Sequence, residues 1–180
     1  MTIALSALLL LFQQKDIYQE GKAQLDAKHY AEAEAQFRQL LAGPESSSKG
    51  YEGLALVEIA RKNYDKALEN AKKSVELNGE SAGAHYALGL TQAYRQEFGP
   101  AATSLEKAVS LDPENAQTHY QLGLVQFRLK RYDQTIAHCE RFLELTPDAP
   151  EAPQVKSILR AATHLLIDGE NAVDRPALVL

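Results

Sequence analysis

The 180-residue chain carries few side chains suited to chemistry beyond its carboxylates: five histidines and one cysteine. His138 and Cys139 are adjacent, so on a helix they point about 100° apart and cannot form a dyad with each other. Cys139 falls in an apolar helical column and reads as a small buried hydrophobe. A single cysteine also excludes an intrachain disulfide. His85 and His119 stand 34 residues apart, each followed by a tyrosine, and are the one candidate pair for a two-histidine metal site. His29, at a helix–helix turn, and His164, on the last helix, read as solvated. There is no Cys-x-x-Cys, His-Glu-x-x-His, Gly-rich phosphate loop or Gly-x-Ser-x-Gly. The carboxylates are scattered as a solvated surface requires. Catalysis has no support in these residues. The expectation is a non-enzymatic protein with no cofactor, no metal and no small-molecule substrate.

The elements that position these side chains are helical by composition. Alanine (27) and leucine (26) far outnumber valine plus isoleucine (13), which favours helix over a large sheet. The content is globular, with 45% apolar and 24% charged residues. A net charge of −5 argues against nucleic acid as a partner, since that needs a concentrated basic face.

An internal period organises the chain. Tyr30, Tyr64, Phe98 and Tyr132 recur every 34 residues, as do Ala33, Ala67, Ala101 and Thr135. Gly21, Ala55, Gly89 and Gly123 keep the same period, and so do Leu54, Leu88 and Leu122. Pro44, Gly79, Pro113 and Pro147 close the units at nearly matching offsets. Each column has a physical reason. Small residues midway along a first helix let its neighbour approach closely. The aromatic opens a second helix, with the alanine three residues later on the same face. The closing Pro or Gly stops that helix. Neither helix can bury its apolar face alone, so units must stack.

This pattern resembles the tetratricopeptide repeat (TPR) family over about residues 14–149, in units 14–47, 48–81, 82–115 and 116–149. Leu88-Gly89, Phe98, Ala101, Ala108 and Pro113, then Leu122-Gly123, Tyr132 and Pro147, match best. Glu20 stands where the family prefers leucine, and the family's tryptophan column holds Ile17, Tyr51, His85 and His119. The resemblance implies an all-α, right-handed α-α superhelix (solenoid) of four TPR helix pairs. It also implies that His85 and His119 serve inter-helix packing. A ninth helix over 150–167, with the stripe Val155, Ile158, Leu159, Ala162, Leu165 and Leu166, is expected to cap the C-terminal end. Residues 168–180 read as a mobile tail.

In the family, first helices line a concave face that receives protein ligands. Carried over by position, that face holds Lys15, Tyr18, Lys22, Leu25 and Asp26 in unit one and Glu52, Leu56, Ile59 and Ala60 in unit two. Units three and four supply Tyr86, Leu90, Ala93 and Tyr94, then Tyr120, Leu124, Phe127 and Arg128. The groove residues expected to bind a partner are Leu56, Ile59, Tyr86, Leu90, Tyr94, Tyr120, Leu124, Phe127 and Arg128. Lys22 and Arg128 are too isolated to rebuild the basic clamp with which some members hold a C-terminal carboxylate. The expected ligand is a helix or extended apolar peptide of another protein.

Residues 3–12 (IALSALLLLF) are uniformly apolar. They are too short to span a bilayer, which takes about 20 residues, but near the length of a signal-peptide core. No Lys or Arg precedes them and no Ala-x-Ala directly follows. Segment 1–13 therefore stays open between an export signal, a short helix that packs on the first repeat or dips into a membrane, and a plain apolar terminus. An exported or envelope-associated location is expected, with the cytoplasm as the alternative. A structural subunit of a membrane-associated assembly, held through this terminus or the convex faces, is the second functional expectation.

Overall fold

A computed structural model describes the backbone of residues 2–43 and 46–173 and the side chains of 14–43 and 46–168. Among the described residues the chain forms helices and no strand. They are α1 (Thr2–Asp26), α2 (Tyr30–Leu40), α3 (Ser47–Ala60), α4 (Tyr64–Leu77), α5 (Ala82–Tyr94), α6 (Phe98–Leu111), α7 (Ala116–Arg128), α8 (Tyr132–Leu145) and α9 (Ala152–Val173).

The period is written into the backbone between first and second helices. Lys28, Lys62, Gln96 and Lys130, again 34 apart, all have positive φ, at 60–64°. Each follows a first helix as its left-handed terminator. In the second unit the Lys62 amide donates to the Ile59 carbonyl (2.9 Å) and the Asn63 amide to the Glu58 carbonyl (2.8 Å). The equivalent pair forms at the other three turns, so four orphan helix ends are satisfied by one Schellman geometry. The aromatic column then starts the second helix two residues later. The positions after it, Ala33, Ala67, Ala101 and Thr135, are all fully buried.

The chain divides into two compact units, Met1–Glu97 and Phe98–Leu180. In the first, Phe37 of α2 is the centre of a cluster with Ala33, Leu40, Leu54 and Val57. Its ring is wedged between two glycines. A Cβ on Gly21 of α1 would lie 2.7 Å from the ring, and one on Gly53 of α3 only 2.2 Å. Farther along, α3, α4 and α5 meet through fully buried Ala55, Ala71 and Ala87. Ser48 and Ser74 join α3 to α4 by a reciprocal exchange, each hydroxyl donating to the other's carbonyl (3.0 and 2.8 Å). Arg61, at the end of α3, reaches Glu34 of α2 (2.6 Å), and this bond is the largest influence holding the Glu34 carboxyl below its usual range.

In the second unit, Tyr120 of α7, Cys139 and Phe142 of α8 and Val155 of α9 form one core. Helix α9 thus covers the apolar side of α7 and α8, as a capping helix must. Both ends depart from the expected borders. Helix α1 runs without a break from Thr2, because no Gly or Pro separates the apolar segment from the first repeat helix. Helix α9 continues to Val173 through Gly169, whose cost within a helix is only about 1 kcal/mol. The expected mobile tail is therefore helical as far as Val173, and its remainder, 174–180, lies outside the described residues.

Candidate functional site

Within the first unit, the first helices α1, α3 and α5 bring equivalent repeat positions together. Tyr18 and Glu52, 34 residues apart, touch directly: the Tyr18 hydroxyl donates to the Glu52 carboxylate. Glu52 is only 7% exposed. Burial holds its carboxyl above the usual range, against the opposing pull of the Tyr18 hydroxyl and of the Lys22 and Lys49 charges. Burial likewise raises the Tyr18 phenol, with Glu52 adding to it. Gly83 of α5 closes over this carboxylate, since a Cβ there would sit 2.4 Å from it. Lys49 also lies over the Tyr18 ring, 6.0 Å from its centroid.

The groove residues expected from sequence divide by exposure. Ile59 and Leu90 are buried (9% each) and form a core with Ala67, against which Leu56 and Tyr86 pack half-buried. Tyr94 is different: it is 51% exposed, and its ring stacks on Tyr64 with centroids 5.5 Å apart and planes 7° apart. In the second unit Tyr120 is a core residue (9% exposed), tilted against Phe142 at 5.5 Å. Its burial has a clear cause, because α9 supplies Val155 to the same cluster. Leu124 is half-buried on that core, Phe127 packs on Tyr132 (5.8 Å), and Arg128 is exposed.

One feature of the first unit had no sequence signal. Arg95 beside Tyr94 pairs with Asp65, 30 residues away, and with Glu97 (2.8 Å). Arg95, Asp65, Lys62, Lys66, Asn63 and the Tyr64 ring line an open recess of about 550 Å³. The contact joins residues off the 34-residue register, so no column could reveal it.

The histidines resolve separately. His85 and His119 do the same job in successive turns: the Nε2–H of each donates to the carbonyl six residues back, Gly79 at 2.9 Å and Pro113 at 3.0 Å. His119 also meets His138, while His29 pairs with Gln24 and His164 with Asp168. Among the described residues no group of three or more His, Cys, Asp or Glu could hold a metal ion. Cys139 is 2% exposed, and burial, with Glu140 second, pushes its thiol up to about 11.

Helix pairs with a common turn, small-residue columns between them and a terminal covering helix define a helical-repeat solenoid of the TPR class. The family model described as "Tetratricopeptide repeat protein 21 C-terminal ARM domain" matches residues 6–163, and the chain belongs to this TPR-containing family. No curated protein sequence matches it significantly. Solved structures with the same fold include MamA of AMB-1, at 20% identity and TM-score 0.65, over 90% of this chain and 94% of that one. The Arabidopsis OM64 TPR domain is 22% identical with a TM-score of 0.61, over 66% of this chain and 98% of that one. The first TPR of Spaghetti (RPAP3), solved bound to the HSP90 peptide SRMEEVD, is 18% identical with a TM-score of 0.61, over 67% and 95%.

Proposed function

We propose that this chain is a non-enzymatic protein–protein interaction module whose first-helix faces receive a helix or an extended apolar peptide of a partner protein. The observation that carries this reading is Tyr94. A tyrosine half in solvent yet held by a stacked ring is a rigid, ready-made anchor. Leu56 and Tyr86, half-buried on α3 and α5, extend the apolar offer in the first unit, and Leu124, Phe127 and Arg128 make it in the second. Ile59, Leu90 and Tyr120 support these residues from beneath. The peptide carried by the Spaghetti TPR supports this use of the fold. The chemistry offered here differs from a clamp for an acidic tail, because Glu52 already draws on Lys22 and Lys49.

Site-specific photocrosslinking tests the reading in the full chain. A crosslinker at position 94 or 127 should capture one partner that a crosslinker at the exposed α4 position 72 does not. Tyr94→Ala should weaken that complex by about 1–3 kcal/mol with helicity unchanged. Capture from position 72 alone, or an unaltered affinity for Tyr94→Ala, would move the function off the first-helix face.

The continuous helix α1 (Thr2–Asp26) favours a second reading, a subunit of an envelope or membrane-associated assembly held through residues 3–12. No helix of the described residues is long and apolar enough to cross a membrane, so the attachment would be interfacial. Export or envelope association goes with this reading, and a cytoplasmic site with a purely groove-based one. Fractionation of cells expressing the full chain and a Leu9→Glu/Leu10→Glu variant separates them. Loss of the chain from the membrane fraction only in the variant supports the second reading, and an equal distribution opposes it.

A further inference from the structure

Of the five histidines, His119 on α7 and His138 on α8 meet each other. They are 19 residues apart and off the repeat period, yet their Nδ1 atoms lie 3.1 Å apart, with ring centroids at 5.3 Å. His119 is buried and His138 half-buried. The geometry determines where the protons are. The Pro113 carbonyl can only accept, so Nε2 of His119 carries its hydrogen and Nδ1 presents a lone pair. That lone pair must receive the Nδ1–H of His138, so one hydrogen bond joins the helices while both rings are neutral. With both rings fully protonated, the two Nδ1–H groups would stand head to head. A proton added to Nε2 of His138 would place a charge against the buried ring. In the unfolded chain His138 is protonated near pH 6.5 without either penalty.

We propose that His119 and His138 form an acid-sensitive latch between α7 and α8, closed while both rings are neutral and released as His138 becomes protonated, so that residues 116–145 loosen at mildly acidic pH. The charged groups on the surrounding elements leave the pair to itself. Glu106 of α6 is held by Gln126, Glu114 of the α6–α7 turn and Glu144 of α8 are held by Arg141, and Lys156 and Arg160 of α9 are exposed. Burial is the main influence on His138 and the neighbouring His119 the second, and together they push it down to about 4. A folded value below the unfolded one means that stability is complete above about pH 6.5 and is lost as pH falls toward 4. The latch does not depend on where a partner binds.

The test uses the full chain. Long-range ¹H–¹⁵N spectra of the imidazoles should show His119 protonated at Nε2 and His138 at Nδ1, with His138 titrating at least one pH unit below 6.5. Hydrogen exchange, corrected for intrinsic rates, should show the opening of α7 and α8 becoming about twentyfold more favourable between pH 7 and pH 5. His138→Asn, which keeps an N–H donor and cannot titrate, should abolish that acid response. His138 titrating within half a unit of 6.5 in the wild type would overturn the latch. So would an equal acid response in wild type and His138→Asn.

Discussion

Replacing Gly53 by alanine adds one methyl group at the tightest point of the first unit. The new Cβ would lie 2.2, 2.3 and 2.4 Å from three carbons of the Phe37 ring, whereas carbon contacts settle near 3.5–4 Å. The overlap therefore exceeds about 1 Å at three atoms. The ring cannot retreat, because Gly21 of α1 backs it so closely that a Cβ there would also clash at 2.7 Å. Helix α3 or α2 must move instead. Overpacking of this kind costs about 1–3 kcal/mol, and the better helix propensity of alanine returns up to about 1 kcal/mol. The net expectation is a loss of about 1–2 kcal/mol, confined to the first unit. Hydrogen exchange by mass spectrometry reads the two units separately, and peptides from 30–60 should lose about 5–30-fold protection. Gly99→Ala is the control. Apart from its own turn of helix, no atom lies within 4 Å of a Cβ placed there, so the same substitution should be neutral or stabilise by about 0.5 kcal/mol. Phe37→Leu should restore part of what Gly53→Ala removes, giving a non-additive double-mutant cycle. A Gly53→Ala variant as protected as wild type over 30–60, or strict additivity with Phe37→Leu, would refute the wedge.

Three other perturbations follow from the same contacts. Because burial holds the Glu52 carboxyl high, its folded value exceeds its unfolded one and stability falls as pH rises through that interval. Glu52→Gln should melt higher than wild type at pH 7, with the difference closing near pH 4, and a lower melting temperature at pH 7 would show that the carboxylate's bonds outweigh its burial. Cys139, with its thiol pushed up to about 11, should react with a disulfide reagent at pH 8 at least about 100-fold more slowly than a free thiol until the chain unfolds, and prompt labelling of native protein would contradict its buried placement. Ending the chain at residue 149 removes Val155 from the Tyr120–Phe142 core, so the truncated protein should aggregate and lose protection in α7 and α8, whereas a stable monomer on gel filtration would refute the capping role of α9.

The sequence alone determined the repeat and hence the fold class. Period-34 columns specify which residues start helices, which stop them and which must be small, and these are local choices that each unit makes again. The shared left-handed turn residues at 28, 62, 96 and 130 follow from the same local repetition. Tertiary structure alone decided how the candidate face is divided between core and surface. Ile59, Leu90 and Tyr120 share columns with half-buried residues such as Ala93, Leu124 and Tyr86, yet each is covered by an element whose position no local pattern states: α4 and α5 cover Ile59, α3 and α4 cover Leu90, and α9 covers Tyr120. The Arg95–Asp65 pair and the His119–His138 contact likewise join residues 30 and 19 apart. Neither separation belongs to the repeat, so only the packing of one helix on the next could bring these groups within reach.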